Sequence, residues 1–133
     1  MESGRPARHI IELMVEMTDP QPGDTICDPA CGTCGFLVTA AQFMAAKHGT
    51  TVFKDAASRR RFSEATFFGY DFDTTMLRIG SMNMLLHGIE NPDIRYKDSL
   101  EETHAADSAQ YSLILANPRH RRRADSHPSD ARG

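Results

Sequence analysis

No apolar run in this sequence approaches the ~20 residues that crossing a bilayer demands. A stretch such as Phe36 to Met44 is already interrupted by Thr39 and Gln42, so no membrane-spanning segment is expected. Residues 1–11 hold charges at Glu2, Arg5 and Arg8 and no apolar core, and do not read as a secretory signal. Cysteine is scarce and odd in number. Cys27, Cys31 and Cys34 fall within eight positions, which argues against a secreted disulfide framework and makes a reducing cytoplasm the default. Positive charge is also short. Residues 119–133 carry five Arg against two Asp, which leaves ten Lys or Arg against sixteen Asp or Glu, a net charge of -6, in residues 1–118. Such a body is no nucleic-acid footprint by itself, so other chains or further segments must supply most of the positive surface for such a partner. At 133 residues, 40% apolar and 25% charged, one small globular domain is the ceiling.

What is present alternates in period. Ile10, Leu13, Met14 and Met17 recur at helical spacing with Glu12 and Glu16 opposite, predicting a helix over 8–18 that stops at Asp19-Pro20-Gln21-Pro22-Gly23. Thr25-Ile26-Cys27 reads as a short strand, Asp28 to Gly35 as a tight loop, and Phe36 to His48 as a helix. Residues 49–65 read as an inserted loop with some helical character. Thr66 to Asp71 is a buried strand, and Thr74 to His87 a helix with Met76, Leu77, Gly80, Met84 and Leu85 inward and Gly88 as its stop. Ile94 to Asp98 and Tyr111 to Ala116 complete four strands. This alternation points to a parallel sheet in an α/β layer fold. After Asn117-Pro118 no large apolar residue remains, so 119–133 is expected to be a disordered basic tail behind a domain at 1–118.

Three places could carry chemistry. Small residues in Asp28-Pro29-Ala30-Cys31-Gly32-Thr33-Cys34-Gly35 let the backbone approach a bound molecule, and the next helix opens with unpaired N–H groups. The same pattern also serves as a plain strand-to-helix connection. Asp71 closes a strand where doubly wound folds place an acid that accepts ribose hydroxyls. It stands 36 residues after Gly35 rather than ~20, the excess being the 49–65 insertion. Asp98 ends the third strand, and a solvated helix cap is the competing reading for such acids. Ala116-Asn117-Pro118 ends the fourth.

In their order, Asp28 to Leu37, Gly69-Tyr70-Asp71, Asp98-Ser99-Leu100 and Leu115-Ala116-Asn117-Pro118 resemble the motifs of adenine-N6 DNA methyltransferases. The modification subunit of type I restriction–modification systems is the most similar type, and Arg8 to Met14 resembles its segment before the first strand. The resemblance implies an incomplete Rossmann-like S-adenosylmethionine-dependent methyltransferase fold, α/β, with about four parallel strands and flanking helices. Its cofactor, S-adenosylmethionine, would be held by Arg8, Asp28, Ala30, Gly32, Thr33, Cys34, Gly35, Asp71 and Asp98. The 28–35 loop would take the methionine part, Asp71 the ribose hydroxyls and Asp98 the adenine amino group. Asn117 and the Pro118 carbonyl would be catalytic, accepting hydrogen bonds from the amino group of a flipped adenine and aiming its lone pair at the methyl group. No metal is called for. The implied partners are duplex DNA and the specificity and restriction subunits of a type I system.

The sequence departs from that pattern in places. Arg119-His120 follow Asn117-Pro118 where the family has a second proline and an aromatic residue, Cys34 stands at a glycine or alanine position, and Pro6-Ala7 replaces Thr-Pro. These departures, with no strand pattern after the fourth, predict a truncated or frame-shifted copy that is inactive alone. Two other readings remain open: a general nucleotide-binding Rossmann-like domain, and a radical S-adenosylmethionine protein with a [4Fe–4S] cluster on Cys27-x3-Cys31-x2-Cys34.

Overall fold

The computed structural model describes residues 7–97 and 110–115. Helix α1 (Arg8–Thr18) leads into β1 (Ile26–Asp28), α2 (Gly35–Val52), α3 (Ala56–Glu64), β2 (Phe67–Asp71), α4 (Thr74–Leu86), β3 (Asp93–Tyr96) and β4 (Leu113–Ile114). The strands form one sheet of order β3-β2-β1-β4, and every pairing is parallel. Ile26 lies beside Phe67, Phe68 beside Asp93, and Ile26 beside Leu113. All strand ends therefore share one carboxyl edge, which puts the β1–α2 loop next to the last residue of β2.

The period of two along β2 sorts its side chains. Phe67 packs edge-on against Phe62 of α3 at 5.3 Å between ring centroids, and Gly69 lies under Cys31, so Phe67, Gly69 and Asp71 share the helix side. Phe68 and Tyr70 point the other way and meet Tyr111, whose ring stands 4.9 Å from that of Phe68. The core on the helix side is built from Val15, Ile26, Leu37, Ala40, Met44, Phe67 and Met84.

The insertion at 49–65 is more ordered than expected. Helix α2 runs on to Val52 through a kink at His48, and α3 occupies 56–64. Asp55 caps α3, its carboxylate accepting the Ser58 N–H at 2.8 Å, while Phe62, with Phe53 on one side and Phe67 on the other, anchors it. Two helix faces also differ from expectation. In α1 the residue fully buried is Val15, with Ile11 and Met14 beside the core, whereas Ile10, Leu13 and Met17 are exposed. In α4, Gly80 and Met84 are buried but Leu85 is 54% exposed. Both helices are apolar around more of their circumference than one packing face uses, so spacing alone could not select the buried stripe. The third and fourth strands are shorter than expected. Asp98, Asn117, Pro118 and the 119–133 segment lie outside the described residues.

Candidate functional site

The β1–α2 loop turns twice through left-handed backbone. Gly32 has φ +51°, which glycine adopts without strain, and Cys34 has φ +69°, which a residue with a β-carbon adopts at some cost. Main-chain bonds hold the turn: Cys31 N–H donates to the Tyr70 carbonyl at 2.9 Å and Cys34 N–H to the Cys31 carbonyl at 2.7 Å. The Gly32 N–H donates to Asp71 Oδ2 at 2.8 Å, and Asp71 Oδ1 accepts from Asp73 N–H at 2.9 Å. Asp73, not Asp71, is the N-cap of α4, accepting from Thr75 N–H and Met76 N–H. From α4, Asn83 Nδ2 donates to the Thr33 carbonyl at 2.9 Å.

Asp28, the last residue of β1, is buried and accepts the Ala30 N–H at 3.1 Å. Burial lifts its pKa from 3.8 to about 7, the hydrogen bond from Ala30 opposing and the nearby Asp71 charge adding to the rise. A carboxyl that burial holds well above the usual carboxylate range thus sits beneath the loop.

Beside this loop opens a cavity of about 410 Å³. Its walls include six residues expected from the sequence: Arg8, Asp28, Ala30, Gly32, Thr33 and Gly35. Asp71 is outside the lining but bonded to Gly32, and Cys34 is fully buried behind the loop, so its side chain does not present itself to a ligand. Sequence reasoning missed Ile11, Phe36, Gln42, Asn83 and His87, which also line the cavity. His87, expected only as a helix-end residue, is the C-cap of α4 as well. The one available signal for these residues was their spacing on helices that start or end at the carboxyl edge.

The three cysteines do not converge. Cys27 is buried inside β1, and among the described residues no group of three or more His, Cys, Asp or Glu could hold a metal ion. The iron–sulfur reading fails on this geometry. Among the described residues no helix is long and apolar enough to cross a membrane.

A parallel sheet of this order, with a small-residue loop after β1 and an acid closing β2 on the same edge, defines a Rossmann-like α/β fold. The chain belongs to the N-6 DNA methylase family, whose model matches residues 6–132. It is 31% identical over 112 residues to the type I restriction enzyme EcoEI methylase subunit of Escherichia coli, a match covering 84% of this chain and 22% of that one. A solved chain of a type I restriction–modification system is 34% identical with a TM-score of 0.70, over 84% of this chain and 22% of the other. The crystal structure of the EcoKI M protein, at 24% identity, shares the fold with a TM-score of 0.72, over 84% and 24% of the two chains. The chain thus spans about a fifth of the length of these relatives.

Proposed function

We infer that this chain is the cofactor-binding part of an adenine-N6 DNA methyltransferase of the type I modification-subunit kind, and that its ligand is S-adenosylmethionine. The observation that carries this is the Gly32-to-Asp71 hydrogen bond, which couples the loop to the β2 acid beside the cavity. The residues present suit the group. Asp28 offers an acid near the loop to a cationic ligand, Ile11 and Phe36 supply apolar wall, and Arg8 lines the same cavity. A carboxylate has about four acceptor positions, so Asp71, with one N–H on each oxygen, keeps capacity for two ribose hydroxyls.

When bound, S-adenosylmethionine supplies an electrophilic methyl group. The chain's own residues then bind and orient: Arg8, Asp28, Ala30, Gly32, Thr33 and Gly35 around the loop, Asp71 at the end of β2, and Asp98, two positions beyond β3 in the sequence. Cys34, at the position where the family has glycine or alanine, acts through the shape of the turn. Asn117 and the Pro118 carbonyl would accept the target amino group's hydrogens and hold its lone pair in line. DNA and the specificity and restriction subunits are the partners that the family relationship supports for the whole protein.

These 133 residues alone are inactive in this reading, because Arg119-His120 stand where the family stacks an aromatic ring on the flipped base, and stacking contributes about 1–3 kcal/mol. Calorimetric titration with S-adenosylmethionine, S-adenosylhomocysteine and a nicotinamide dinucleotide tests the ligand. Binding of the first two and not the third is expected, while preference for the dinucleotide would support a general nucleotide-binding domain instead. Labelled methyl transfer to duplex DNA by this chain, lost in Asn117→Ala, would overturn the inactivity.

A further inference from the structure

The function just described uses the backbone turn at Cys34 but neither of the two sulfur atoms at the site. Cys31 lines the cavity, Cys34 is fully buried behind it, and the two thiols lie close enough to influence each other's ionisation. The Cys34 N–H bond to the Cys31 carbonyl closes a four-residue turn. A turn of this kind brings its end Cα atoms within ~7 Å, inside or close to the reach of a disulfide.

Each sulfur is wedged against a different element. A β-carbon placed on Gly69 of β2 would come within 2.9 Å of Cys31 Sγ, and one on Gly80 of α4 within 2.7 Å of Cys34 Sγ. Each thiol thus occupies space that exists because its neighbour is glycine. Joining the sulfurs at about 2.0 Å draws at least one of them out of its niche. Between them lie Gly32, whose N–H holds Asp71, and Thr33, whose carbonyl accepts from Asn83 Nδ2.

We propose that Cys31 and Cys34 form an oxidisable dithiol, closed to an intramolecular disulfide by a peroxide and reopened by a dithiol reductant, whose closure breaks the Gly32-to-Asp71 bond. The cavity-side Cys31 sulfur attacks one peroxide oxygen, the O–O bond breaks, and the thiol proton leaves with the expelled hydroxide as water. The resulting sulfenic acid is attacked by Cys34 sulfur, which forms the S–S bond and releases a second water. Two thiols are oxidised and one peroxide is reduced. The hydrogen bond to Cys34 and burial push the Cys31 thiol up, so its thiolate fraction is small and closure is slow. Its effect on ligand binding rests on the cofactor reading above; its chemistry does not.

The test treats the 133-residue chain with hydrogen peroxide and counts thiols after denaturation. Of the three cysteines, none of which is in a disulfide, one thiol is expected to survive in the oxidised wild type, mapped by mass spectrometry to Cys27. In Cys34→Gly, where glycine is at ease with the positive φ, no disulfide should form and Cys31 should instead carry added oxygen as a sulfenic or sulfinic acid; a Cys31 thiol that survives untouched would overturn its role as the attacking sulfur. Disulfides that include Cys27, or bridges only between chains, would overturn the proposal. Hydrogen exchange at the Gly32 amide should speed up about tenfold on oxidation and recover on reduction, as loss of a bond to a charged group implies; an unchanged rate overturns the gating. S-adenosylhomocysteine should bind about tenfold more weakly to the oxidised form for the same reason, and equal binding overturns the gate. If the reduced chain fails to bind it while thiol count and Gly32 exchange behave as stated, the cofactor reading fails and the dithiol stands.

Discussion

The main-chain N–H of Gly32 meets Asp71 Oδ2 at 2.8 Å across 39 positions of sequence. One carboxylate thus sets the distance between the loop after β1 and the end of β2, while its other oxygen orders the entry to α4 through Asp73. Removing it should loosen both. Asp71→Ala is expected to destabilise the fold by about 1.5–3 kcal/mol, the range for hydrogen bonds to a charged group. It should also weaken S-adenosylhomocysteine binding more than tenfold, roughly two lost hydrogen bonds' worth. Asp71→Asn keeps one acceptor oxygen and should fall between the two. Urea unfolding and calorimetry read both effects, and wild-type affinity in Asp71→Ala would remove Asp71 from the site.

Asp28 makes stability depend on pH in an unusual direction. Its folded pKa of about 7 lies above the unfolded 3.8 because burial disfavours the charged form. Between those values the folded state holds a proton that the unfolded state has lost. The contribution is therefore fully present below about pH 4 and lost as pH rises through 7. Asp28→Asn should flatten this slope and leave the protein more stable than wild type at pH 8, by a few kcal/mol at most. Urea midpoints at pH 5, 6, 7 and 8 for both chains check the sign. Parallel curves would show Asp28 to be solvated.

Much of this could be read from the chain because the informative residues are local. Thr25-Ile26-Cys27 followed by small residues and then Phe36-Leu37 gives strand, loop and helix without reference to anything distant, and the carboxyl-edge meeting of Gly32 and Asp71 follows once the strands are parallel. The insertion was harder. Helix α3 is polar apart from Ala56, Ala57 and Phe62, so its order comes from the Asp55 cap and one aromatic anchor rather than from a periodic stripe. The cavity wall at Gln42, Asn83 and His87 was illegible for another reason: it is assembled from two helices whose relative placement the sequence does not encode locally.

The buried stripe of α1 can be tested directly. Met17 is 76% exposed and Leu13 51%, while Val15 is 0%. Replacing the first two with Gln should shift stability by under about 0.5 kcal/mol, as for ordinary surface positions. Val15→Ala should cost about 1–3 kcal/mol through the cavity it leaves. The ranking of urea midpoints decides it, and a larger loss from Leu13→Gln than from Val15→Ala would reinstate the face that helical spacing first suggested.

Gly80 is where ordinary helix preference should reverse. In a helix interior Gly→Ala stabilises by about 1 kcal/mol, but here the new methyl would lie 2.7 Å from Cys34 Sγ and 2.9 Å from the Gly32 carbonyl oxygen. The sulfur ends a short side chain locked in a left-handed residue, and the oxygen is backbone, so neither yields cheaply. Gly80→Ala should therefore destabilise by about 1–3 kcal/mol, the range for overpacked cores. Cys34→Gly alone should be close to neutral, because relief of the positive φ offsets the lost buried sulfur. Combined, the two should couple: with the sulfur gone Gly80→Ala hurts less, but the Gly32 oxygen stays in place and some loss persists. A coupling of about 0.5–3 kcal/mol in a urea double-mutant cycle is the expected result. Strict additivity would mean that the methyl group is accommodated by moving α4 away from the loop rather than by pressing on Cys34.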